Sequence, residues 1–338
     1  MQEPKSQTNT QYKYFSYELL SRLKINQLKC RVLSIDDKKN LVFFSTQKGL
    51  SIYQLKNGML MQLSQINSQK DVSAITTFMT RSLFLTGQYS SSIIVWSYNL
   101  MFKGKYLMKL KKHTNNISCL IIYPNPENLI ISGSHDETIK FWYLTPSSSF
   151  NCYQTIKEQE CSVLALSLNQ KGDTLISCDD FNLILIMNGS YTSKWQVKQK
   201  IQLKGERLTF LSNHSFAIQH RNSEFIFFYG QDYTSGQYVR INKLQIKGWR
   251  QYDRGQFFQY FIPSKQILLI KNGYTLNLIR FTLISSSYCE CYLEQSIAFQ
   301  QNSEVGGVYG TMSKDGQFLI TYDDESCEIQ IRKYVEKI

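Results

Sequence analysis

Ser132, Ser134, His135 and Asp136 fall within five consecutive positions, in the stretch IISGSHDETIKFW (130–142). A hydroxyl, an imidazole and a carboxylate are the groups of a hydrolytic triad. There the base stands about 2.6–3.2 Å from the nucleophile and a third, separately placed group orients the base. The local sequence does not supply that placement. Ser132 follows Leu129-Ile130-Ile131 and so belongs inside a strand, and no G-x-S-x-G elbow lifts it out. His135 lies in a turn beside Asp136, with no independent group to orient it. Phosphate loops of the G-x-x-x-x-G-K type, H-E-x-x-H helices and Cys/His metal sets are absent from the chain. Cys289 and Cys291 are adjacent in alternation, but without a second pair or a histidine at zinc spacing they read as buried or half-buried thiols. The expectation is a non-enzyme with no metal, no cofactor and no small-molecule substrate.

The elements that carry these residues are short apolar runs bounded by turn residues. With 338 residues and a 42 % hydrophobic fraction, the chain has ample material for a core. Runs such as CLIIY (119–123), LILIM (183–187) and ILLI (267–270) are rich in Ile and Leu, while Asn57-Gly58, Asn188-Gly189, Asn272-Gly273 and Asp315-Gly316 mark turns. None of the runs approaches the ~20 apolar residues of a membrane span. The N-terminal stretch has no apolar core of a signal peptide, so the eight cysteines are expected as reduced thiols in the cytosol, with the nucleus as the other compartment.

The runs recur in groups. ISCLIIYPNPENLIISGSHDETIKFWYL (117–144) lays out three strands, and FNCYQTI (150–156) supplies a fourth. Similar layouts fill 31–55, 72–98, 162–188, 207–230, 256–281 and 307–334, with third strands ending near Tyr53, Trp96, Trp142, Met187, Phe228, Arg280 and Arg332. A period of about 40–50 residues is that of a four-stranded propeller blade.

The 113–142 copy, with His113 ahead of its first strand, SGSHD in its second and Trp142 in its third, resembles a WD repeat. The resemblance is fair for 72–98 and 162–188 and degenerate elsewhere. It implies an all-β fold: a single seven-bladed β-propeller of four-stranded antiparallel blades over residues 12–338, preceded by a flexible tail at 1–11. The last copy has only three strands, so YKYFSYELLSRL (12–23) is expected to complete it and close the ring. The resemblance also implies that His113, Ser132, Asp136 and Trp142 form a structural hydrogen-bonded set, with His135 a bystander. Other copies depart from the pattern: Thr86 and Trp96 occur with Ser90 where Asp is expected, Ser177 with Met187 for Trp, and Thr321 with Arg332 for Trp. Its functional implication is a non-catalytic scaffold, a subunit or adaptor in a multiprotein complex.

The net charge is +12, and nearly all of it lies in 103–112, 194–207 and 240–254, each holding five basic residues. Each segment falls where a fourth strand runs into the next blade. Two readings stand. Lysines guard exposed sheet edges against pairing, or Lys109, Lys111 and Lys112 form part of a basic rim for a protein with acidic segments, with RNA or an anionic membrane as the less favoured partners. No paired-arginine FRRG run of the phosphoinositide-binding propellers is present. In KGWRQYDRG (247–255), Trp249, Arg250, Tyr252 and Arg254 combine the residue types enriched at binding hot spots. The alternative for Trp249 is packing at a blade interface.

Overall fold

The computed structural model describes residues 14–25, 30–46, 49–67, 71–220, 223–248, 257, 259–285, 288–300 and 307–337. Apolar alternation turns into strands, and Gly- and Asn-rich breaks turn into reversals. Asn57 and Gly58, for example, both adopt positive φ (51° and 75°) and join Gly49–Lys56 to Met59–Asn67 by a two-residue hairpin. Asn188-Gly189 instead opens a longer connection: Gly189 packs against Trp195 and the next strand begins at Gln196.

The strands form seven four-stranded antiparallel sheets. Blades 1 to 6 are sequential, covering 33–67, 72–111, 117–156, 163–202, 205–245 and 260–298, and in each the first strand lies innermost and the fourth outermost. Blade 7 takes three strands from 308–337 and its outer strand, Tyr14–Lys24, from the start of the chain. That strand runs antiparallel to Glu328–Lys337 from Tyr14↔Lys337 to Lys24↔Glu328, with a bulge at Leu20. The described part of the predicted closing strand thus closes the ring; positions 12 and 13 lie outside the described residues, as does the 1–11 tail. Helix is confined to one turn, Tyr98–Met101, among the described residues.

The core lies between blades rather than within them. Each pair of neighbours shares one apolar cluster; Phe141 and Met187, for instance, belong to the seam between blades 3 and 4, and Leu85, Ile117 and Trp142 to that between blades 2 and 3. Close approach there follows a large-to-small rule. A Cβ on Gly87 would lie 2.6 Å from Ile117 and one on Gly133 2.7 Å from Val163, the first residue of the next blade in each case. Between blades 4 and 5 the sizes are exchanged: Cys178 occupies the glycine position and Gly205 begins the next blade, its missing Cβ 3.2 Å from Cys178.

Candidate functional site

Four residues from separate parts of blade 3 meet in one chain of hydrogen bonds. His113 precedes the innermost strand, Ser132 is on the second strand, Asp136 is in the following turn and Trp142 is on the third strand. His113 Nδ1 lies 2.8 Å from Asp136 Oδ2, and its Nε2 lies 2.7 Å from Ser132 Oγ. The Trp142 indole N–H donates to the same hydroxyl at 2.9 Å. The network assigns the proton on the imidazole: Nδ1–H donates to the carboxylate, leaving Nε2 to accept the Ser132 O–H. Burial works against ionising Asp136, yet hydrogen bonds from His113, Thr138 and the Thr114 N–H hold its pKa well below the usual carboxylate range. Burial likewise lowers the His113 pKa, opposed only in part by Asp136, so the imidazole is neutral at pH 7.

The order Asp136–His113–Ser132 is that of a catalytic triad, but the site cannot use it. Ser132 is fully buried, and its hydroxyl is committed to both His113 and Trp142. A nucleophile needs an open approach and donors placed for the developing oxyanion. His135, the histidine adjacent to Asp136, is not in the set; it faces the central channel, and burial lowers its pKa.

Other blades hold altered versions at matching register. In blade 2, Trp96 donates to Thr86 Oγ1 at 2.9 Å. In blade 4, Gln159 stands four residues before Val163, as His113 stands before Ile117, and its amide donates to Ser177 Oγ at 2.6 Å. Asp179 receives the Glu160, Phe181 and Leu183 N–H groups there. In blade 7, Arg332 replaces the tryptophan. Burial lowers its pKa to about 10. Gln159 has a signal in the sequence, its fixed distance from the strand start, though its residue type conceals it.

The basic positions of the outer strands lie on the outside of the ring, whereas Arg207 of the 194–207 segment is buried on the innermost strand of blade 5 and lines the channel. Lys109 is half-buried on the outer strand Met108–Lys111, opposite Ile94; Lys111 and Lys112 are exposed. The outer strand Gln196–Gln202 exposes Lys198 and Lys200, the latter paired with Glu158 at 3.1 Å. On the outer strand Tyr238–Gln245, Arg240 and Lys243 lie over the Phe227 and Phe225 rings. Trp249, Arg250, Tyr252 and Arg254 lie outside the described residues. The channel through the ring has a volume of about 1060 Å³, and its lining includes Arg31, His135, Asp180, Arg207, Gln259 and Asp324. Cys289 is buried and Cys291 half-buried, both as free thiols. No helix among the described residues is long and apolar enough to cross a membrane.

Residues 104–143 match the family described as "WD domain, G-beta repeat". The chain is 33 % identical over 96 residues to Pre-mRNA-processing factor 19 of Bos taurus, a stretch covering 28 % of this chain and 18 % of that protein. The Mus musculus protein of the same name gives the same values. That of Oryza sativa subsp. japonica is 32 % identical over 66 residues, 20 % of this chain and 12 % of its own. The matched stretches are therefore less than a fifth of the length of these relatives. A chain of the solved structure "Crystal Structure of Mitotic Checkpoint Complex" superposes with a TM-score of 0.73 at 14 % identity, covering 98 % of this chain and 96 % of that one. At that identity the likeness concerns the fold.

Proposed function

We propose that this chain, a WD-repeat β-propeller, works as a non-catalytic scaffold that holds other proteins together as a subunit or adaptor of a complex. The observation that carries the reading is the fate of the one triad-like cluster. Every polar group of Asp136, His113 and Ser132 serves the inside of a blade, which fixes strand geometry and leaves no nucleophile facing solvent. The ring around it offers loops on two faces and seven outer strands, as suits a rigid platform. The partners are proteins with acidic segments, met by the basic outer edges and by Trp249, Arg250, Tyr252 and Arg254. The sequence relatives are called Pre-mRNA-processing factor 19, which is compatible with the nucleus beside the cytosol as the place of action.

Affinity capture of the intact chain, with mass spectrometry and sizing of the captured material, tests this. A stoichiometric assembly is the expected result, and a chain that stays monomeric in its own cell extract counts against it. A fluorophosphonate probe should leave Ser132 unlabelled; labelling there would reopen the enzymatic reading.

The second reading, an anionic ligand such as RNA or a phosphoinositide membrane, draws on the exposed lysines of the same outer strands. RNA binding there would weaken steeply with salt, and vesicle pelleting tests the membrane.

A further inference from the structure

The connection from the third to the outer strand of blade 2 is longer than its counterparts. It spans 98–107, where blades 1, 3, 4 and 5 use 57–58, 145–149, 189–195 and 232–237. Its first turn is anchored: Tyr98 and Met101 are buried in the cluster between blades 1 and 2, and Ser97 Oγ accepts the Asn99 N–H at 3.3 Å. The remainder, 102–107, is exposed at every position. Phe102, Tyr106 and Leu107 within it are large and apolar, exposed by 57 %, 50 % and 48 %. Backbone bonds hold the loop in shape all the same. The Lys103 and Gly104 N–H groups donate to Leu100 O and Met101 O at 3.0 and 2.9 Å, and the Leu107 N–H donates to Val95 O at 2.9 Å. The exposed side chains are therefore positioned before any partner arrives.

The loop leads into the outer strand Met108–Lys111. Leu110 there belongs to the cluster between blades 2 and 3, so by alternation Lys109 and Lys111 face the other way, toward blade 1. The Tyr106 ring lies on that side too, edge-on to Trp96 at 5.9 Å, and Trp96 belongs to the cluster between blades 1 and 2. Charge is one-sided over the whole blade. From Val72 to Lys112 the chain carries Arg81, Lys103, Lys105, Lys109, Lys111 and Lys112 and no acidic residue. The outer strands on either side, Met59–Asn67 and Phe150–Ile156, carry no charge. The carboxylates of blades 1 and 3, Asp36, Asp37, Glu127, Asp136 and Glu137, lie at the ends of the inner three strands. They are matched by as many cations, Lys38, Lys39, Lys48, Lys56 and Lys140, and so do not cancel the excess on blade 2. Asp71, just ahead of blade 2, pairs with Arg31 at 3.3 Å.

We infer that the loop 102–107 and the strand Met108–Lys111 form a docking edge for an extended protein segment, whose apolar side chains meet Phe102, Tyr106 and Leu107 and whose acidic ones meet Lys109 and Lys111. This rests on the scaffold reading and names one partner surface and its chemistry. Charge complementarity selects an acidic occupant. Geometry selects a chain over a flat surface. A strand rises about 3.3 Å per residue, so Lys109 and Lys112 stand about 10 Å apart along the side of the ring, more than the Debye length of about 8 Å at physiological salt. A bilayer laid against the loop leaves the far lysines screened, whereas an extended segment meets loop and strand together. A second copy docking by the same edge would set these cations against one another. Covering Phe102 and Leu107 supplies the apolar gain.

The test is selection of random phage-displayed peptides on the intact chain. Fluorescence anisotropy then measures the enriched peptides against Phe102→Ser/Leu107→Ser and, separately, Lys111→Glu/Lys112→Glu. All four positions are exposed, so both variants should fold, and thermal melting checks it. The expected result is enrichment of peptides that join aromatic or aliphatic residues to Asp or Glu, with affinity lowered about tenfold by either variant. Enriched peptides indifferent to either variant or lacking acidic residues, or no enrichment at all, would overturn the inference. An assembly still captured from the cell extract would then leave the scaffold reading standing, and a chain that stays monomeric there would count against that reading as well. Flotation with phosphatidylserine-containing vesicles that depends on Phe102 and Leu107 but not on Lys111 and Lys112 would assign the loop to a membrane instead. Dimers in sedimentation that either variant abolishes would assign the edge to a second copy.

Discussion

In blade 7 the Arg332 guanidinium donates to Thr321 Oγ1 at 3.3 Å. Leu319 pairs Arg332 there as Ile130 pairs Trp142 in blade 3, so the arginine does the indole's work with a different group. It adds a bond to Gln330 Oε1 at 2.6 Å that an indole with one N–H cannot make. Arg332→Lys should therefore lose about 1–3 kcal/mol, since a single ammonium cannot reproduce the planar fork in a buried site. Urea unfolding measures it; an unchanged midpoint would mean that the arginine contributes only packing.

In blade 3 the members of the set should be strongly coupled. Trp142→Phe and Ser132→Ala are each expected to lose about 1–3 kcal/mol, because each leaves a buried partner unsatisfied or creates space. The double variant should cost less than the two summed, with a coupling of about 0.5–3 kcal/mol. Simple additivity would show that the 2.9 Å indole bond carries no energy of its own.

The pH response has two opposed parts. The folded-state pKa of His113 lies below its ordinary 6.5, so the unfolded chain binds the proton more tightly, and stability is lost as pH falls through this range. His113→Gln, which copies Gln159 of blade 4, should flatten that slope. Asp324 acts the other way. Burial raises its pKa from 3.8 to about 6, so the folded state holds the proton and stability falls as pH rises between those values. Asp324→Asn should melt higher than the parent above pH 6 and equal to it below pH 4. Melting curves across this range check both; a variant with the parent's slope refutes the assignment for that residue.

The exchanged sizes at the blade 4–5 seam predict a rescue. Gly205→Val alone meets Cys178 and Ile218 and should cost about 1–3 kcal/mol through overpacking. Cys178→Gly/Gly205→Val rebuilds the arrangement of Gly133 and Val163 and should recover part of that loss. Calorimetric melting of the three variants tests it, and a double variant worse than both singles would show that the seam does not follow one rule.

What the sequence made legible was whatever is local. Strand runs, turn residues and their period are written in consecutive positions, which places the blades and their order, and the closing strand follows from the one fourth strand that the last copy lacks. Ser132, Asp136 and Trp142 sit close together in an ordinary WD pattern. Arg332 could be placed at the tryptophan position but not the bonds it makes there, and Gln159 escaped because its side chain differs in type from the histidine it replaces. The bulge at Leu20 escaped for another reason, since it depends on pairing with the far end of the chain. The channel lining, drawn from several blades at once, has no contiguous signature at all.

The closing strand also has a meaning for synthesis. Among the described strands Tyr14–Lys24 is made first and its partner Glu328–Lys337 last. While the strands between them are made, this strand, with Phe15 and Tyr17 destined for burial, has no ladder partner. Until Glu328–Lys337 is made the ring is an open arc with an unpaired strand at one end, and unpaired strands with exposed apolar side chains favour aggregation.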